Sequence, residues 1–246
     1  MRGQAEQAKR GVVEARLRAV RPHLAALALV APVVAALVTF LAGAPLEAIA
    51  VPVLVAFATI GYLRSRVLRP RRWPPAAAVA AGVSGVHIGL VTAWPLAPAA
   101  ALALGAGAFY LARDARRRVL EPYTPELADS RVEVPWQARG ARGLELLVGH
   151  DRITLAGSRG RFRLVRPMVA LSGVGAVEQI LVSRRATLEV PGVGELRVTV
   201  TPGPAVRITV PPGQWIVPTD HGREIARLVA RRKELAGVEG VEGSPG

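Results

Sequence analysis

Between residues 23 and 112 the chain is an almost unbroken series of apolar runs, and after residue 130 it breaks into short alternating stretches. The first pattern predicts membrane helices, because crossing about 30 Å of hydrocarbon takes roughly 20 mostly apolar residues. Four runs approach that length: 23–41, 46–63, 73–94 and 97–112, the last being the shortest. Pro32, Pro52 and Pro98 fall inside the runs and are expected to kink or start helices, which a bundle tolerates when neighbours satisfy the freed carbonyls. The second pattern predicts strands. In "ELRVTVTPGPAVRITV", Leu196, Val198 and Val200 alternate with Arg197 and Thr199. "TPGP" then signals a turn, and Val206, Ile208 and Val210 repeat the alternation, which together predicts a β-hairpin with one apolar face.

Further strands are predicted at 144–148, 152–155, 161–165, 177–182, 187–190 and 215–217. Thr219 or Asp220 then caps a helix with the inner stripe Ile225, Leu228, Val229 and Leu235, leaving Arg223, Glu224, Arg227 and Arg231 outward. The division that results is a basic N-terminal segment (1–22), a four-helix membrane sector (23–112), a basic juxtamembrane segment with a linker (113–130), a β domain (131–236) and a disordered tail (237–246). "EPYTPELADS" at 121–130 has the two prolines and polar filler of a linker. The N-terminal "QAEQAKRGVVEARLRAV" has the pattern of a short interfacial helix, weakened by Gly11. The first apolar run is long for the cleavable core of a signal peptide and is expected to stay as an anchor.

Charge changes the picture by giving the spans a direction. Six basic residues precede the first span: Arg2, Lys9, Arg10, Arg16, Arg18 and Arg21. The first and third connections hold none, the second holds Arg64, Arg66, Arg69, Arg71 and Arg72, and Arg113, Arg116, Arg117 and Arg118 follow the fourth. By the positive-inside rule this alternation predicts an even number of crossings in a bacterial plasma membrane, with both termini cytoplasmic. The five arginines of the second connection are candidate contacts for anionic lipid phosphate, worth about 1 kcal/mol per basic residue. A nucleic-acid surface would need stacking aromatics that Trp73 alone does not supply, so no nucleic-acid partner is expected. The net charge of +14 is spread over both halves, and with only two lysines among 32 basic residues it also fits the arginine bias of a GC-rich coding sequence.

Within the third span Ala77, Ala81, Gly85, Gly89 and Ala93 recur at intervals of four, a ridge that lets another helix backbone approach closely, either inside the bundle or between copies. Trp73 and Trp94 bracket the span about 31 Å apart and fit interfacial belts. His87 lies about 200° around the helix from Gly85, with Ser84 on its own side. An intramembrane imidazole is a candidate polar site; the plainer reading is a neutral histidine bonded to a serine or a carbonyl. The shared flanks "YLRSRVLRP" and "YLARDARRRVLEP" suggest a duplicated hairpin, though common flank chemistry gives the same pattern.

No cysteine is present, which removes disulfides, thiolate metal sites and cysteine nucleophiles. No serine-hydrolase elbow, zinc-protease motif, phosphate-binding loop or carboxylate pair occurs, so neither enzymatic activity nor a cofactor is expected. His150 and Asp151 suit a turn, and Asp220 before His221 suits a helix start.

Over residues 142–236 the strand run, the early hairpin "LAGSRGRFRLV" and the closing "GQWIVPTDHGREIARLVARR" resemble the pleckstrin-homology-like (PH-like) domains attached to small membrane anchors in actinobacteria. That resemblance implies a strongly bent antiparallel sheet or barrel plugged by the terminal helix; a small Greek-key barrel with an appended helix is the alternative. It also implies candidate lipid-phosphate contacts at Arg159, Arg161 and Arg163, which otherwise fall on a solvated strand face. Three functions follow as expectations: a membrane-anchored module binding a protein partner or anionic lipid, a small transport subunit with a polar path near His87, and an assembly component that oligomerises through the third span.

Overall fold

The structure is a computed structural model and describes residues 2–141, 143–157, 166–190, 197–211 and 213–242. The chain forms two compact units: residues 11–123, and residues from Thr124 onward together with the opening turns of the first helix.

The first unit is helical, with α1 (Arg2–Leu41), α2 (Ala50–Ser65), α3 (Trp73–Thr92) and α4 (Ala97–Leu120). All four are long and apolar enough to cross a membrane. Many of their large side chains point away from the bundle. Leu54, Phe57, Leu90 and Leu102 are each about two-thirds exposed or more, while Ala35, Ala77, Ala81 and Ala112 are buried. This inverts the order of a water-soluble bundle and is what lipid favours, because hydrocarbon solvates leucine as well as another helix does.

Two helix boundaries in this unit differ from expectation. The basic segment and first span are one helix, which continues through Pro22 and Pro32. Each proline frees only the carbonyl four residues earlier, so Ala-rich flanks carry the helix on. The fourth span does not stop at Ala112; Arg113–Leu120 adds two turns, with Asp114 and Arg118 paired at 2.7 Å. Pro52 and Pro98 lie in the first turns of their helices, as expected. At its end α1 closes without a polar side chain. Gly43 at φ +68° lets its own N–H reach Phe40 O at 3.1 Å and that of Ala44 reach Thr39 O at 3.2 Å, a Schellman motif that satisfies carbonyls where no water is needed.

The second unit opens with a four-stranded antiparallel meander: β1 (Val134–Gln137), β2 (Leu144–Val148), β3 (Arg152–Gly157) and β4 (Met168–Ala170). Then come β5 (Val177–Val182), β6 (Ala186–Glu189), β7 (Arg197–Val200), β8 (Gly203–Val210) and β9 (Gly213–Pro218), followed by α5 (Gly222–Glu242). The expected hairpin across "TPGP" does not form. β8 pairs with β5 and β9, while β7 pairs with β6. Val182 faces Gly203 and Ala186 faces Val200, so the two pairings are one long ribbon in which the first arm carries one extra residue at the joint. Two prolines flanking Gly203 make a joint because neither can donate to a ladder. The predicted strand at 161–165 lies outside the described residues.

Leu146, Ile153, Ile208 and Val217 of the sheets and Ile225, Leu228 and Val229 of α5 are fully buried, and α5 packs against β5, β8 and the turn at Leu171–Gly173. The helix also extends past the expected boundary, so 237–242 is helical rather than a disordered tail.

Candidate functional site

Three constellations concentrate polar chemistry: a histidine–threonine pair inside the bundle, the arginine-rich end of the bundle, and an arginine clamp in the β unit.

In the bundle α3 and α4 are antiparallel and in backbone contact. A Cβ built on Gly89 would lie 2.2 Å from Ala97 Cα, and one on Gly85 would lie 2.6 Å from Ala100 O. The ridge predicted from Ala81, Gly85 and Gly89 is therefore occupied by α4 of the same chain, which corrects its use as an oligomerisation face. Ala93 is not part of it, since the helix ends at Thr92 and Ala93 is extended. On α2, by contrast, a Cβ built on Gly61 would meet nothing within 4 Å.

His87 is buried and its Nε2 lies 2.9 Å from Thr39 Oγ1. That hydroxyl donates its single hydrogen to Ala35 O at 2.7 Å, so it must accept from His87, which puts a hydrogen on Nε2. Ser84 is not the partner; it donates to Ala80 O. Thr39 was missed because no sequence signal says which helix faces His87. The pair is also nearer one end than the span suggested: His87 is five residues from the end of α3 and Thr39 two from the end of α1. Thr59 and Thr92 likewise donate to carbonyls of their own helices.

At the opposite end, the connection 64–72 is built rather than loose. Pro70 and Trp73 are buried. Arg66 O accepts both Trp73 Nε1 at 3.2 Å and Arg69 N at 2.9 Å, and Arg69 O accepts Arg72 N at 2.9 Å. Trp73 is thus a core residue, correcting its assignment to an interfacial belt. Trp94 is 75% exposed at the other end, and Tyr62 and Tyr110 are exposed near the arginines. Arg64 and Arg69 are exposed, and Arg66, Arg71 and Arg72 are half-buried. Arg16 of α1 bridges to the end of α4, donating to Val119 O and Pro122 O. Arg159, Arg161 and Arg163 lie outside the described residues.

In the β unit the expected linker is anchored. Arg232, 1% exposed on α5, sends Nη1 to Val148 O at 2.6 Å, Nη2 to Val132 O at 2.7 Å, Leu127 O at 3.0 Å and Ser130 O at 3.2 Å, and Nε to Ala128 O at 3.5 Å. Nη2 has two hydrogens for three carbonyls, so at least one is shared. Next to it Arg231 pairs with Asp129 at 2.6 Å, and Lys233 Nζ donates to Val174 O. Residues 127–132 are therefore part of the domain, with Leu127 and Val132 buried. A second guanidinium, Arg139, holds the ribbon joint through Pro202 O and Pro204 O, and pairs with Asp220 at 2.9 Å. Gly203, at φ +119°, is the residue it packs on; a Cβ there would meet Arg139 Nη2 at 2.3 Å.

At the turn between β2 and β3, Arg152 hydrogen-bonds the Asp151 carboxylate and holds it below its ordinary range, with the charges of His150 and Arg152 adding to the effect. Asp220 does not cap α5; the Thr219 hydroxyl accepts His221 N at 3.2 Å instead. Trp136 and His221 pack as rings 5.1 Å apart. Among the described residues no group of three or more His, Asp or Glu side chains is placed to hold a metal ion. No protein-family model matches this chain, and no curated protein or solved structure matches it either.

Proposed function

We propose that this is a non-enzymatic multi-pass protein of a bacterial plasma membrane, with both ends cytoplasmic, that presents a PH-like module to a protein partner. The observation that carries this reading is the division of labour along the chain: four helices with many large side chains outward, then an antiparallel β unit ending in α5. Counting the ribbon arms as single strands, the β unit has a four-strand meander, a three-strand one and a terminal helix. This supports the PH-like expectation. β5 lies at the edge of its sheet and leaves Leu181 75% exposed, a surface suited to a partner. A conduit through the bundle draws no support from the hydroxyls, since Thr39, Thr59, Ser84 and Thr92 are committed to their own helices.

The chain lacks cysteine, so single cysteines report cleanly. Ala44→Cys is expected to react with an impermeant maleimide in intact cells and Gly237→Cys only after permeabilisation; the reverse result defeats the topology. For the module, a partner that co-purifies in mild detergent is expected to be lost with Leu181→Asp, and equal recovery from both chains removes β5 as the binding edge.

A further inference from the structure

We infer that the arginine-rich end of the helical unit is a built binding site for an anionic phospholipid, formed by Arg69 and Arg72 of the 64–72 connection with Arg113 and Arg117 of α4. The inference rests on the proposed topology and adds a ligand to it. Three observations carry it.

First, the helix register brings these groups to one level. Gly89 meets Ala97, Gly85 meets Ala100 and Gly105 meets Ala78, so the start of α3 at Trp73 lies level with Tyr110, and the turn that precedes it lies level with Arg113. Arg113 and Arg117, four residues apart, share one exposed face of α4. Second, the guanidinium groups are uncommitted. Arg69, Arg72, Arg113 and Arg117 have no side-chain hydrogen bond or ion pair among the described residues, whereas neighbouring Arg118 is engaged by Asp114. The connection that carries two of them is held by Trp73 and Pro70, so little conformational freedom is lost on binding. Third, apolar surface adjoins the charge. Leu68 is exposed between the arginines, and Tyr110 and Leu111 are exposed one turn from Arg113. A free phosphate would use the guanidiniums alone; a phosphate tethered to acyl chains uses both surfaces. Four forks that each donate to two oxygens also suit two phosphates better than one, which favours a lipid with two phosphodiesters on one headgroup.

The test is native mass spectrometry of the full chain, delipidated in detergent and given equimolar cardiolipin, phosphatidylglycerol and phosphatidylcholine. Cardiolipin is expected to be retained at least ten-fold over phosphatidylcholine. Each arginine neutralised is expected to lower retention about five-fold, so R69Q/R72Q/R113Q loses about a hundred-fold with helix content unchanged. R223Q/R227Q, which removes charge from the exposed face of α5, is expected to retain cardiolipin like the parent. Equal retention of all three lipids, no loss in the triple variant, or an equal loss in the α5 variant each overturns the inference. Full competition by glycerol 3-phosphate also overturns it, by assigning the site to free phosphate. Maleimide labelling at residue 44 separates the two failures. If that position is external and lipid retention fails, only the lipid site falls; if it is internal, the topology falls as well.

Discussion

Replacing Arg232 with methionine keeps most of the side-chain volume and removes every donor from the centre of the clamp. Four carbonyls then lose bonds of 2.6 to 3.2 Å, and three of them belong to the fully buried residues Leu127, Val132 and Val148. A buried acceptor left unmade costs about 1–3 kcal/mol, but water reaching the half-exposed Ser130 and the gain from burying an apolar chain offset part of the total. The net expectation is a loss of about 3–5 kcal/mol, a large share of the roughly 5–15 kcal/mol that holds a domain folded. Arg232→Lys is expected to fall between, because an ammonium supplies three donors without the planar fork. Thermal unfolding of the full chain in detergent, followed by tryptophan fluorescence, is expected to show the β-unit transition lowered by about 10 °C or more. Trypsin supplies an independent reading: once the clamped segment peels away, cleavage after Arg131 is expected to accelerate. A variant that melts within about 1 °C of the parent, with unchanged cleavage, would refute the view that this guanidinium anchors residues 127–132.

Gly89→Leu forces a side chain into the Ala97 backbone and is expected to cost about 1–3 kcal/mol in detergent unfolding, with the protein's oligomeric mass unchanged because the contact is internal. A double-mutant cycle of Thr39→Val and His87→Phe is expected to give a coupling of about 0.6 kcal/mol, typical of hydrogen bonds between membrane helices; zero coupling would mean the pair is incidental. The Asp151 carboxyl is held low in the folded state, so its stabilising effect is complete above its unfolded value near 3.9 and fades as pH falls below that. Since both partners are more than a third exposed, Asp151→Asn is expected to cost about 0.5 kcal/mol or less at pH 7, and the difference from the parent should vanish in acid melts.

What the sequence disclosed and what it hid divide along physical lines. Period-2 alternation located β8 and β9 because each has several buried residues, and it located β5 from its apolar residues although none of them is fully buried. It passed over β1, four residues long with Pro135 inside, and β4, three residues long, since neither offers enough alternation to count. Partner choice was the weakest inference: strand propensity is local, whereas the ribbon joint is held by Arg139 from the turn after β1. Arg232 was missed although a signal existed. It continues the Ile225, Leu228 and Val229 stripe at helical spacing, and a charge on an apolar stripe is a hint of a buried polar contact. Trp73 was assigned from its position at a span's edge, a rule that cannot see the carbonyl of Arg66 waiting for its indole N–H.

The intimacy of α3 with α4 bears on how the protein reaches its bilayer. These two helices contain the least apolar of the four candidate spans, with mean hydropathy 1.5 each against 2.6 and 2.0 for the others. Segments that partition weakly alone gain when they enter joined, because each hides polar backbone and small side chains from the acyl chains against the other. The hairpin is therefore the natural unit of insertion, and a bulky residue at position 85 or 89 would injure biogenesis before it injured the finished bundle.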